Sequence, residues 1–205
     1  MRMLPVLIVV AVLQAACSLG GPTQPARFYA LSVHAGQPLT TDTALPAAGI
    51  GVGPVSLPEL YERPQLVTRP ADNRVELAEF ERWGGNLAED VKRVLVQDLI
   101  GRLGSENILV WPWQRQQTPA LQVAVQFFRF DGEPGEQARL SGLWQLFDGV
   151  EGCRLEVHRF DISRVPEQPD YAGYVGALSL ALAQLSEDIA GRLAVVRPGC
   201  PSSRS

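Results

Sequence analysis

A single thiol near the N-terminus carries the most definite chemistry in the sequence. Cys17 follows the small pair Ala15-Ala16, at the end of an apolar run from Leu4 to Leu13 that Arg2 precedes. Residues 1–16 have the pattern of a secretory signal peptide. A peptidase must fit the extended backbone beside a thiol already carrying a diacylglycerol, and small side chains permit that approach. The spacing therefore predicts Cys17 as a lipidated first residue, and ordinary secretion with cleavage nearby is the plainer reading of the same residues. Gln14 stands where such signals usually carry Leu, with Leu13 one step earlier. The apolar run is shorter than the roughly 20 residues a spanning helix needs.

The remaining reactive side chains are sparse. Cys153 and Cys200 form an even pair in a compartment that permits disulfides, and a bridge between them would pin the Pro-rich tail. Without a nearby histidine pair they make a poor metal site, and no metal or cofactor is expected. His34 and His158 are the only histidines, neither lies in a metal-ligand motif such as H-E-x-x-H, and both read as solvated. Ser56 and Ser141 lack the strained G-x-S-x-G elbow of a serine nucleophile. Gly49, Gly51 and Gly53 precede Pro54 and a continuing apolar strand, where a phosphate loop would need a helix N-terminus. These glycines read instead as bends or places of close backbone approach. Glu76, Glu79 and Glu81, before Arg82-Trp83, read as a solvated face. Trp111-Pro112-Trp113 admits three surface roles, a sugar platform, a membrane-interface belt or an interaction site, alongside half-buried packing against a sheet edge. The catalytic residues expected are none.

Removing the signal from 205 residues leaves about 190, enough for one well-buried domain. Hydrophobic residues make up 46% and charged ones 20%, as in a globular protein, and the net charge of −4 argues against nucleic acid as a partner. Residues 17–27 read as a flexible Gly- and Pro-containing tether, 28–195 as a single domain and 196–205 as a tail. Phe28 to Leu31 and Ile50 to Leu57 predict strands; Gln65 to Arg69 and Arg74 to Leu77 predict a strand pair across an Ala-Asp-Asn turn. Asn86 with Glu89 three places on predicts a capped helix, whose apolar face runs from Leu87 through Val91, Val94, Leu95 and Leu99 to Leu103 and which Gly104 ends. Alternation at Leu121 to Phe127, Arg139 to Phe147 and Arg154 to Ile162 predicts an antiparallel meander. Val175, Leu178, Leu182, Leu185 and Ile189 predict a long final helix over Tyr171 to Leu193. The fold class that follows is α+β, a mostly antiparallel sheet with helices packed on one face.

The series Gly53-Pro54-Val55-Ser56-Leu57-Pro58, Arg63-Pro64-Gln65-Leu66-Val67-Thr68-Arg69, Arg74-Val75 and Arg82-Trp83 with Leu87 following resembles the PqiC-type ABC-transport auxiliary lipoproteins. The likeness extends to Phe28-Tyr29-Ala30-Leu31, the strand end at Phe127 to Asp131 and the closing helix. It implies a periplasmic lipoprotein of a transport system that moves lipids between inner and outer membranes and supports membrane integrity. It implies a partner of the MCE type, docking at the end of its assembly, a fitting place for a homo-oligomeric ring. It implies no catalysis. Ser18 after the cysteine is similar to signals sorted to the outer membrane.

Pro58 and Pro64 deny ladder amides, so Leu57 to Gln65 must leave the sheet as a stiff excursion bearing Leu60 and Tyr61. Two readings stand. In one, Leu60, Tyr61, Arg63 and Arg69 form a docking loop, with the arginines bonding a partner carboxylate or lipid phosphate. In the other, Leu60 and Tyr61 fold back on the core and Arg69 caps a helix or pairs with Glu76. A carrier holding an acyl chain between sheet and helix is the alternative to an adaptor, and it requires an apolar cavity of roughly several hundred Å³. A secreted hydrolase is disfavoured by the missing constellation. Changing Cys17 to Ala should move the protein from the membrane to the soluble fraction, since acyl chains hold it at about 0.8 kcal/mol per buried CH₂. Mass spectrometry showing an unmodified wild-type N-terminus would refute the anchor.

Overall fold

The computed structural model describes residues 24–39, 45–71, 73–114 and 117–200. The expected signal segment, Cys17, most of the expected tether, the Asp72 turn position and the end of the tail lie outside the described residues.

Among the described residues, eight strands and two long helices follow one another in the order β1 (Arg27–Tyr29), β2 (Ile50–Ser56), β3 (Gln65–Ala71), β4 (Arg74–Trp83), α1 (Leu87–Leu103), β5 (Ile108–Val110), β6 (Leu121–Glu133), β7 (Gln137–Asp148), β8 (Arg154–Arg164) and α2 (Tyr171–Leu193). A single 3₁₀ turn at Glu59–Tyr61 separates β2 from β3. Five strands form one sheet in the order β5-β2-β6-β7-β8, and three form another in the order β1-β4-β3. The fold is α+β, and both sheets are mixed. The expected meander is present, with β7 antiparallel to β6 and to β8. However, β2 runs parallel to both its neighbours, β5 and β6, and β1 runs parallel to β4. The reason is connectivity: between β2 and β5 the chain makes the β3–β4 hairpin and then helix α1, and a crossover through a helix returns the next strand in the same direction.

Both helices lie on one face of the larger sheet. Asn86 accepts the Glu89 amide at 3.0 Å, and Gly104 closes α1 in the left-handed conformation at φ 60°. A side chain there would strain the backbone, so glycine is the natural stop. Asp170 caps α2 by accepting the Gly173 amide at 2.8 Å. From α2, Leu178, Leu182, Leu185 and Ile189 are fully buried against Leu140, Trp144 and Leu146 of β7 and the β6 side chains Val123 and Val125. The space between helices and sheet is filled by these side chains. Alternation explains the rest: Gln122, Gln126 and Gln145 occupy the opposite face, where they are half-buried or exposed.

Between β1 and Leu39 the chain forms a strap along the helices with no strand ladder. The Leu31 amide donates to Asp90 at 2.7 Å and its carbonyl accepts from Arg93 at 2.8 Å. The Ser32 amide donates to Ser179 of α2 at 3.1 Å, and the His34 amide to Asp98 at 2.7 Å. The Leu39 amide ends the series on the Arg102 carbonyl. Asp90, Asp98 and Arg102 recur on one side of α1, so a helix face supplies partners that a neighbouring strand would otherwise provide.

At the other end of the chain, Cys153 and Cys200 are joined in a disulfide with Cα atoms 5.9 Å apart. Asp148, buried in the β7–β8 turn, reinforces it by accepting the amides of Val150, Glu151 and Gly199. Those amides hold the Asp148 carboxyl below the usual aspartate range.

Truncating Leu178 or Leu185 to Ala should destabilise the fold by about 2–5 kcal/mol, the cost of a core cavity. Chemical denaturation checks this, and an unchanged midpoint for both variants would contradict the packing described.

Candidate functional site

The Pro-bounded excursion folds back. After Pro58 the 3₁₀ turn directs Tyr61 inward, where it is 3% exposed, while Leu60 packs half-buried against the core. The Tyr61 hydroxyl donates to Asp131 at 2.7 Å. Asp131 is fully buried near the end of β6 and also accepts Arg69 Nε of β3 at 2.7 Å and Arg129 Nε of its own strand. Tyr61 and Arg69 are thus brought together, but on a carboxylate of the same chain. Asp131 raises the Arg69 guanidinium, and burial raises the Tyr61 phenol. Arg69 reaches Asp131, while Glu76 is bonded to Arg74. Arg63 stays at the rim, half-buried, with Nε on the Leu60 carbonyl at 2.7 Å. Tyr61 is therefore removed from any exposed docking pair. Prolines did take it out of the ladder, and the buried carboxylate gave its hydroxyl a partner inside.

Asp131 lies where the two sheets meet. Beside it Arg69, Arg129 and Arg139 with Glu133 and Glu136 line an open depression of about 310 Å³. Its charges are mixed, and Arg139 is itself bonded to Asp161 across the β7–β8 ladder.

A second buried carboxylate corrects the reading of the acidic cluster as a solvated face. Glu76 and Glu79 are exposed, but Glu81 is 4% exposed because it falls on the inward side of β4 with Ala78 and Trp83. Glu81 takes a two-pronged bond from Arg27 and accepts the Tyr29 hydroxyl at 2.6 Å. Arg27 holds its carboxyl below the usual range, and burial with the Glu81 bond pushes Tyr29 up to about 12. The pair fastens β1 to β4 at the place where the chain enters the fold.

The two histidines are far from one another in role. His34 is exposed on the strap. His158 is not fully solvated: its ring stacks on buried Trp144 with centroids 4.1 Å apart, and Nε2 lies 2.7 Å from Glu156. Arg192 of α2 binds the same Glu156, so the group ties β8 to the last helix and depresses the Glu156 carboxyl. Neither histidine meets a serine nucleophile within the hydrogen bonds formed by the described residues. Glu151 approaches Cys153 and Cys200, but the disulfide occupies both sulfurs that a metal would need.

The Trp-Pro-Trp segment divides in two. Trp113 is half-buried over Gly51, and Trp111 is 41% exposed. The β2 glycines thus serve close approach: a Cβ at Gly51 would meet the Trp113 ring at 2.8 Å, and Gly53, at φ 121°, lies directly beneath Trp111.

A sequence profile described as the ABC-type transport auxiliary lipoprotein component matches residues 29–190. The chain belongs to that family. Among solved structures, an uncharacterized protein is 19% identical, with 83% of this chain and 99% of that chain covered at a TM-score of 0.67. A DUF330 protein from Xanthomonas campestris is 15% identical, with 83% and 95% covered at a TM-score of 0.69. These likenesses show that the chain shares their fold. No curated protein matches the sequence. No helix among the described residues is long and apolar enough to cross a membrane.

Sequence reasoning missed Asp131, Asp98 and Glu81 as positioning residues. For Asp131 a signal existed, since it continues the β6 run of Leu121 to Phe127 as a carboxylate flanked two places earlier by Arg129. Replacing Asp131 by Ala should cost about 3–5 kcal/mol, because buried Tyr61 loses its acceptor and the half-buried Arg69 and Arg129 lose their counter-charge. Tyr61→Phe should cost about 1.5–3 kcal/mol, as expected for a bond to a charged acceptor. Urea midpoints test both. The lowered Glu81 carboxyl contributes stability above the unfolded glutamate value of about 4.3, and this is lost as pH falls through the folded value. Glu81→Gln should therefore be less stable near neutrality and show a shallower loss on acidification below about pH 4.

Proposed function

We propose that this auxiliary lipoprotein is a periplasmic subunit, anchored through Cys17 to the outer membrane, of an MCE-type ABC system that carries lipid between the two membranes. Its role there is docking without catalysis, and copies of the chain are arranged as a ring at the end of the MCE assembly. The observation that carries this reading is the family match over residues 29–190, which makes the chain a transport auxiliary component. The signal pattern ending at Cys17 supports the periplasmic, membrane-attached location. The carrier alternative gains no support from the region between helices and sheet, where Leu178, Leu182, Leu185 and Ile189 are buried side chains of the core.

Docking is proposed for the rim of the Pro58 to Gln65 excursion, where Leu60 and Arg63 remain half-accessible, and not for Tyr61 or Arg69, which are committed to Asp131. The test is co-purification from membranes with the neighbouring MCE-type subunit. Wild-type protein should retain it, and Arg63→Ala should weaken association by at least about 1 kcal/mol with an unchanged melt. Tyr61→Ala should lower stability before it affects binding. If the wild type carries no MCE-type subunit through purification, the proposed partnership is wrong; if Arg63→Ala binds as wild type does, the docking surface lies elsewhere.

A further inference from the structure

Trp111 is presented to solvent in a way that an incidental surface tryptophan is not. It is 41% exposed and Val110 beside it 42%. Beneath, the Trp111 amide donates to the Val52 carbonyl at 3.0 Å. The indole stands edge-on to Trp113, with centroids 4.8 Å apart and planes at 85°. Gly53 lies under Trp111 and Gly51 under Trp113, at positions where a Cβ would displace the segment. The ring is thus braced from behind, so little side-chain freedom is left to lose on contact with a partner surface.

Its position relative to the chain entrance gives the partner. Lys92 Nζ reaches the Trp111 carbonyl at 3.4 Å, while Asp90 and Arg93 of the same helical turn hold Leu31. The indole segment and the incoming strap therefore flank the first turns of α1, a helix about 10–12 Å across with its side chains. Cys17 and Arg27 are ten residue steps apart, which even fully extended span only about 35 Å. A lipid on Cys17 would therefore keep the chain entrance, and the tip beside the same turns of α1, within reach of the bilayer. Local charge does not oppose the approach, because Lys92 is paired with Glu89.

We propose that the Val110-Trp111-Pro112 tip is a second membrane contact, with the Trp111 indole seated at headgroup level in the lipid surface to which the chain is tethered. This rests on the lipid-anchor reading above. An indole has an apolar body and one N–H donor, which suits a boundary that is apolar on one side and wet on the other. A diacylglycerol on Cys17 already supplies more than one acyl chain, so the indole contact would orient the domain on the surface rather than secure its attachment.

The test removes the natural anchor so that the two readings fail separately. The mature chain with Cys17→Ala and an N-terminal hexahistidine tag is held on phosphatidylcholine–phosphatidylglycerol vesicles through a nickel-chelating lipid. Brominated acyl chains in those vesicles should quench tryptophan emission. Most of that quenching should disappear in Trp111→Phe but persist in Trp113→Phe, because Trp83 and Trp144 are buried and Trp113 is half-buried behind Trp111. A second reading needs no variant: acrylamide should quench the wild-type chain less on vesicles than in solution. Absence of bromolipid quenching, quenching unchanged in Trp111→Phe, or acrylamide access unaffected by vesicles would each overturn the proposal. An unmodified Cys17 in the native protein would instead overturn the anchor, which mass spectrometry reads independently.

Discussion

A buried carboxylate at the meeting of two sheets is the constraint around which this molecule is arranged. Asp131 is fully enclosed, and an ionised carboxylate without partners there would cost several kcal/mol. Three donors meet it, from the 3₁₀ turn, from β3 and from its own strand. Because each comes from a different stretch of backbone, satisfying one charge fixes the path of the excursion after β2, the placement of the smaller sheet and the end of β6 together. The neighbouring Tyr174 hydroxyl, buried at the start of α2, donates to the Val67 carbonyl at 3.0 Å and ties the same strand β3 to the helical layer. Burial raises that phenol well above its ordinary value, so it remains a neutral donor.

Charges with such internal partners are not available for chemistry elsewhere. Arg27 with Glu81, Arg69 with Asp131 and Arg192 with Glu156 each join elements distant in the sequence. This protein uses arginine where a guanidinium can hold a carboxylate at two points, a geometry lysine does not provide. The single lysine, Lys92, fits the pattern from the other side, because its pairing with Glu89 is the local kind that stabilises a helix surface modestly. Membership of a transport-auxiliary family agrees with a chain whose polar groups are spent on architecture.

What could be read from the sequence was what local periodicity encodes. The Asn86 cap, the Gly104 stop, the β6–β7–β8 meander and the limits of α2 each depend on residues within a few positions of one another. The direction of β2 relative to β5 and β6 depends on a crossover far along the chain, so alternation alone did not reveal the parallel pairings that make the larger sheet mixed. The site was legible only in outline. The prolines announced an excursion, but the partner that draws Tyr61 inward lies 70 positions away. Glu81 looked like one of three solvated carboxylates because its alternation follows β4, while the residues it binds belong to β1.

The strap from Leu31 to Leu39 determines how the molecule bears load. Its backbone bonds run to side chains of α1 and α2 in succession, from Asp90 and Arg93 to Ser179, Asp98 and the Arg102 carbonyl. They are arranged in series, whereas the bonds of a sheet ladder loaded along its strands share tension in parallel. A pull on the N-terminus that overcomes the Arg27–Glu81 clasp and the short β1 pairing would therefore peel the strap one attachment at a time, each worth about 1–3 kcal/mol. The buried faces of α1 and α2 do not depend on those bonds for their packing against the sheet. Tension would be taken up first in this stretch of chain, and among strap residues Leu31 is the one whose release would open the core itself.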